Sequence, residues 1–181
     1  VFLKWQLSLS SYHLNLIDID EALFDIKEII KTTPKVILNK HFLDIRILNT
    51  LAFLFAFKKD YQNSIMYFNK ISEIHILDDA PKITKHTYYL RIQYNKAKTL
   101  YDSGDYNAAL KTCKEGIKQS IQQENMSLLG NFYYYLAQCY EQMNAEYEKI
   151  SSLYKKALFI FEILNRHLYV KTIKKEKIKF L

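Results

Sequence analysis

A chain of 181 residues with only 3 glycines and 2 prolines lacks the turn-formers that punctuate a sandwich or barrel and the glycine-rich loops that cradle phosphates in α/β folds. Its 49% hydrophobic and 15% aromatic residues suffice for a core, and the apolar stretch Leu48 to Phe57 is closed by Lys58, Lys59 and Asp60 well short of the roughly 18 residues of a membrane span. The formal charge of +7 is uneven: residues 1–165 hold 20 Lys and Arg against 18 Asp and Glu, whereas 166–181 hold Arg166, Lys171, Lys174, Lys175, Lys177 and Lys179 against Glu176 alone. A DNA-reading face is therefore not indicated, and the excess is expected on a solvated last helix.

An all-α fold follows, with helices expected near 2–15, 19–32, 36–58, 60–77, 81–103, 105–122, 125–143, 147–164 and 166–179. Thr32-Thr33-Pro34 and Asp78-Asp79-Ala80-Pro81 mark breaks between helices. Asp60 and Asp105 read as N-caps, the second following Gly104 in a turn. Cys113 and Cys139 fall within helices at no metal-binding spacing and are expected in the core. The opening residues carry no signal-peptide pattern, so a cytoplasmic setting is expected. Because the sequence starts at Val1 and not at Met, it is expected to be part of a longer protein.

The elements repeat. In YNKAKTLYDSGDYNAALKTCKEGI, residues Ala97, Leu100, Gly104, Tyr106, Ala109 and Gly116 follow the small, large, Gly, aromatic, small, small order of the tetratricopeptide repeat. Upstream, Ala52, Phe55, Asp60-Tyr61, Ser64, Phe68 and Ile71 take equivalent places, and downstream Ala137, Tyr140, Tyr147, Tyr154 and Ala157 do so with one extra residue near Asn144. A degenerate copy at the start includes Ala22 and Ile29. Two antiparallel helices approach closely only where small side chains face each other, which Ala97 and Ala109 supply. Residues 1–181 are thus expected to form one tetratricopeptide-type solenoid of about four helical hairpins with a C-terminal capping helix.

The run YYYLAQCYEQMNAEYEKISSLYKKALFIFEILNRHLYVKTIKKEKI, with YNKAKTLYDSGDYNAALKTCKEGI, resembles the C-terminal half of the PlcR-type regulators in the Rgg, NprR, PlcR and PrgX group, strongly from about residue 85 and weakly before. This resemblance implies a homodimeric, cytoplasmic sensor domain that binds a short signalling peptide and controls an attached helix-turn-helix domain. No helix-turn-helix segment is recognised before the repeats, so DNA contact is expected only through a domain outside these residues.

The first helix of each hairpin lines the concave side of such a stack. In the frame set by the alanines, the groove positions are Arg46, Asn49, Phe53 and Phe57, then Arg91, Tyr94, Asn95, Lys98 and Tyr101, then Asn131, Tyr134, Tyr135, Gln138 and Glu141. An Asn side chain pairs with both the C=O and the N–H of a peptide unit, so Asn49, Asn95 and Asn131 suit an extended ligand. Arg46, Arg91 and Lys98 suit a terminal carboxylate or acidic side chain, and the aromatic members offer apolar surface. Tyr134 and Tyr135 point about 100° apart on a helix, so one of them is expected to serve the core.

Catalysis is not expected. His13, His41, His75, His86 and His167 are scattered without metal-site spacing, and no nucleophile or nucleotide motif is present, so neither metal nor cofactor is expected. The alternative class is a general repeat scaffold holding protein tails. Its carboxylate clamp requires Asn where Phe53 stands. A peptide-regulated phosphatase-like protein requires an N-terminal helical bundle that this sequence does not show.

Overall fold

The computed structural model describes residues 1–32, 42–74 and 82–181, with side chains from residue 85 in the last segment. The described residues form α1 Phe2–His13, α2 Ile19–Thr32, α3 Phe42–Phe57, α4 Tyr61–Ser72, α5 Lys82–Asp102, α6 Tyr106–Gln122, α7 Leu129–Gln142, α8 Tyr147–Ile163 and α9 His167–Glu176, closed by a 3-10 turn at Ile178–Phe180. The all-α expectation therefore holds. The breaks at Thr33-Pro34 and Asp78-Asp79-Ala80-Pro81, along with His41 and His75, lie outside the described residues. Two compact units emerge, Val1–Lys82 and Ile83–Leu181.

Glycine scarcity did not cost the chain its turns. Asn15, Lys59, Gly104, Glu124, Asn144 and Asn165 all have positive φ, and each follows a helix end. After each, the next N–H reaches back five residues: Leu16 to the Ser11 carbonyl, Asp60 to Phe55, Asp105 to Leu100, Asn125 to Ser120, Ala145 to Tyr140 and Arg166 to Phe161. This is the Schellman closure, in which one left-handed residue lets the chain satisfy the last helical carbonyls. Asn tolerates that conformation because its short polar side chain bonds locally, whereas Lys59 and Glu124 hold it at a steric cost.

Helix starts follow the predicted chemistry. Asp60 accepts from the Asn63 N–H at 3.2 Å and Asp105 from the Ala108 N–H at 3.0 Å. Asp18 adds a reciprocal box that sequence reading passed over: its carboxylate accepts from the Asp20 and Glu21 N–H groups while Glu21 accepts from the Asp18 N–H. Three expected boundaries need correction, the first being that the helix expected over 60–77 ends at Ser72, with Glu73 as its C-cap. Residues 125–128 are not helical, because the Asn125 side chain accepts from both the Ser127 N–H and hydroxyl and folds a turn there. The last helix stops at Glu176 instead of continuing to 179.

In the first unit α3 is buried on nearly all sides and packs against α1, α2 and α4. Trp5, 2% exposed, joins Leu23, Ile26, Leu51 and Leu54 in the core and donates its indole N–H to the Thr50 hydroxyl at 2.9 Å. Ser64 stands where the frame calls for a small residue, and its hydroxyl caps the Ala52 carbonyl across the hairpin at 2.7 Å. The interhelical contact thus gains a hydrogen bond without losing closeness.

The second unit buries Ala97, Ala109, Ala137 and Ala157 completely. Cys113 and Cys139 are buried and free, and burial pushes both thiols up, Cys139 to about 11. A Cβ on Gly116 would lie 2.4 Å from the Phe132 ring, and one on Gly130 would lie 2.8 Å from Phe161, so each glycine allows an aromatic ring of the next helix to seat against backbone.

The basic last helix is solvated along most of its length, as expected, with only Ile173 buried, but the chain end beyond it docks onto α8. Phe180 is buried and stacks on Tyr154 at 5.4 Å, and the Phe180 carbonyl accepts from the Ser151 hydroxyl at 2.7 Å. Lys177 and Lys179 reach the Glu141 carboxylate at 2.8 and 3.4 Å, and Lys174 reaches Glu162 at 2.8 Å. Part of the local positive charge is therefore spent on docking the chain end.

Candidate functional site

The second unit carries a cleft of about 280 Å³ lined by Thr87, Arg91, Tyr94, Asn95, Ser127, Leu128, Asn131, Arg166 and Tyr169. Three separate stretches supply it: α5, the turn into α7 with its first residues, and the turn from α8 into α9. Each is fixed by something already described. The Asn125 turn aims Ser127 and Leu128, and Asn125 also donates to the Thr87 hydroxyl at 3.0 Å, tying that turn to α5. The left-handed Asn165 swings the chain so that Arg166 and Tyr169 face the cleft, with Tyr169 stacked on Phe161 at 4.7 Å. Gly130 admits Phe161, and Phe161 in turn supports Tyr169.

Of the expected groove residues, Arg91, Tyr94, Asn95 and Asn131 meet in this cleft. Beside it runs a ladder of phenol rings: Tyr94 meets Tyr135 at 5.8 Å, Tyr135 meets Tyr134 at 5.7 Å, and Tyr101 meets Tyr135 at 5.6 Å. Both Tyr134 and Tyr135 are half-buried, so the expected division between one core and one groove ring is not sharp. Gln138 donates to the Tyr134 hydroxyl at 3.0 Å, and Lys98 pairs with Asp102 at 2.5 Å. Glu141 lies among the tail lysines and accepts from Tyr154 at 2.7 Å.

Electrostatically the site is neutral to cationic. Burial pushes the Tyr94 and Tyr134 hydroxyls up to about 12, and it raises Tyr135 as well. Asn131 and Tyr135 hydrogen bond to the Tyr94 hydroxyl and pull it partly back. These phenols thus remain neutral polar groups at physiological pH. No acid lines the cleft. Burial acting alone would raise the Glu141 carboxyl, but hydrogen bonds from Lys177 and Tyr154 outweigh it and hold the group below its ordinary value.

Arg46, Asn49 and Phe53 belong to the first unit. Arg46 lies over the Trp5 ring at 4.7 Å, Asn49 is 4% exposed, and Phe53 stacks with His13 at 6.5 Å and meets Phe57 at 5.6 Å. Sequence reading missed Thr87, Ser127, Leu128, Arg166 and Tyr169. The available signal for Arg166 was Asn165, which marks a helix end and hence a turn rather than one continuous basic stretch. Among the described residues no group of His, Cys, Asp and Glu is placed to hold a metal ion, and no helix is long and apolar enough to cross a membrane.

Comparison with known proteins agrees with this architecture. PlcR of Bacillus thuringiensis, solved in complex with the peptide PapR7 and DNA, is similar at 26% identity and TM-score 0.80 over 97% of this chain and 60% of that one. The apo form of PlcR gives 24% identity and TM-score 0.81 over 97% and 62%. RapI in its apo form shares the fold at 17% identity and TM-score 0.73, covering 93% of this chain and 58% of its own. This chain spans about 60% of the length of PlcR. No curated protein matches it. Residues 1–181 in full match the RNPP family C-terminal domain, and the chain belongs to that family.

Proposed function

We propose that this chain is the peptide-sensing half of a transcription regulator, binding a short signalling peptide in the second-unit cleft and controlling an attached DNA-binding domain. The observation that carries the reading is that Asn95 and Asn131, from two different helices, line one cleft beside a wall of neutral phenols, with Asn131 only 6% exposed and bonded to the Tyr94 hydroxyl. Asn offers donor and acceptor together and so holds a peptide backbone without demanding a particular side chain. At about 280 Å³ the cleft lies just under the roughly 300 to 1,000 Å³ of small-molecule sites and suits an anchor of about one or two residues. Lys98, Tyr134, Tyr135 and Gln138 continue the surface for the rest of the ligand. Contacts from Arg46, Asn49 and Phe53 belong to the same proposal with less support, since their side chains take part in first-unit packing.

The family and the likeness to a regulator solved with peptide and DNA support the assignment. Action as a cytoplasmic homodimer is part of the same proposal. The cleft draws on three stretches that are not consecutive, so a ligand bridging them favours one arrangement of α5, α7 and α9 over others. That difference in affinity is what shifts a conformational population.

The test is selection of a pooled short-peptide library on the immobilised chain, followed by titration calorimetry of the retained members. Saturable binding that weakens at least about tenfold in Asn131→Ala is expected. Retention of no peptide from the library, with folded proteins retained through their tails when a cell lysate is passed over the same immobilised chain, would overturn the sensor reading in favour of a scaffold.

A further inference from the structure

The cleft holds two guanidinium groups of different origin, Arg91 from α5 and Arg166 from the α8 to α9 turn, and no carboxylate lines it. Of the cations nearby, Lys98 is paired with Asp102, Lys174 with Glu162, and Lys177 and Lys179 with Glu141, whereas the exposed Lys171 and Lys175 of α9 make no ion pair among the described residues but do not line the cleft. Among the described residues neither Arg91 nor Arg166 makes an ion pair. Two like charges facing one cleft repel each other, and a bound anion relieves that repulsion. Arginine also suits the role geometrically, because its planar fork meets a carboxylate with two parallel hydrogen bonds.

We propose that Arg91 and Arg166 together receive a carboxylate of the peptide, making the sensor selective for an acidic anchor. This inference rests on the peptide-sensing reading and deepens it. Asn95 and Asn131 hold the backbone next to the anchor, and Leu128 and Tyr169 give its stem apolar contact. Because Arg166 is the residue that leads into α9, an acidic ligand ties α9 to α5, whereas its amide analogue leaves them unlinked.

The experiment measures equilibrium binding, by fluorescence polarisation on the full chain, of a short-peptide positional library made in matched versions. One arm compares free C-terminal carboxylates with C-terminal amides, and the other compares Asp or Glu with Asn or Gln at each internal position. In one of the two arms, acids are expected to bind about tenfold more tightly than their amides, and that arm identifies the source of the carboxylate. Arg91→Gln and Arg166→Gln should each abolish the preference, while Lys111→Gln, which removes the same charge from an exposed site on α6, should keep it. Equal binding of acids and amides would overturn the inference while leaving the sensor reading intact, as would a preference that survives both arginine substitutions. Failure of every library member to bind would overturn both.

Discussion

Arg46 and Arg91 stand six residues before Ala52 and Ala97, the same place in two copies of one repeat frame, yet their surroundings differ. Arg46 lies against the Trp5 ring, and its carbonyl accepts from Thr50, which also receives the indole N–H. Arg91 opens onto a cleft without an ion-pair partner among the described residues. Three residues before the same alanines the contrast recurs, with Asn49 buried and Tyr94 lining the cleft. The repeat frame sets the direction in which a side chain leaves its helix. Whether that direction ends in packing or in a binding surface is decided by what the neighbouring helix presents: Trp5 and aliphatic residues in the first unit, amides and phenols in the second.

The strongest way to break this comparison is at Trp5. Trp5→Ala removes the residue that occupies Arg46 and Thr50, and urea unfolding is expected to show a loss of about 3 to 5 kcal/mol. Peptide affinity of the fraction that stays folded should be unchanged. A loss below about 1 kcal/mol would mean that the first-unit core does not depend on Trp5.

Next in size is alkaline sensitivity. Tyr94 ionises near 10 when exposed and at about 12 when folded, so between these values the unfolded chain binds fewer protons than the native one. Stability should therefore be flat up to about pH 9 and fall as pH rises from about 10 to 12, by up to about 3 kcal/mol for this group alone. Denaturant midpoints across that range check the slope, and Tyr94→Phe should reduce it.

Gly116 sharpens the picture of close helix approach. Gly116→Ala forces the Phe132 ring aside and is expected to cost about 1 to 3 kcal/mol in thermal or urea unfolding. The smallest expected effect is favourable: Lys59→Gly relieves a left-handed conformation in the first unit and should add up to about 1 kcal/mol. Lowered stability there would mean that Lys59 contributes contacts that outweigh its backbone strain.

Much of the fold was legible because its signals are local. Alanine spacing, Asp60, Asp105 and Gly104 each act within a few residues, and the helices they imply lie close to the observed ones. The turns at Lys59 and Glu124 were harder to read, since neither residue advertises positive φ. The site was legible only in part. Arg91, Tyr94, Asn95 and Asn131 follow from the frame, whereas Arg166 and Tyr169 reach the cleft through the chain reversal at Asn165, a non-local placement that spacing along one helix does not encode. Asn49 shows the converse: its helix, FLDIRILNTLAFLFAF, is apolar on every face, and that breadth, not the frame, announces its burial.

The central claim, that the second-unit cleft is where the ligand binds, is tested most directly by hydrogen exchange of the chain with and without its tightest library peptide. Slowed exchange is predicted in α5 around Arg91 to Lys98 and in α7 around Asn131 to Gln138, with the turn at Arg166 following. Unchanged exchange in both helices, with protection confined to residues 1–74, would contradict it.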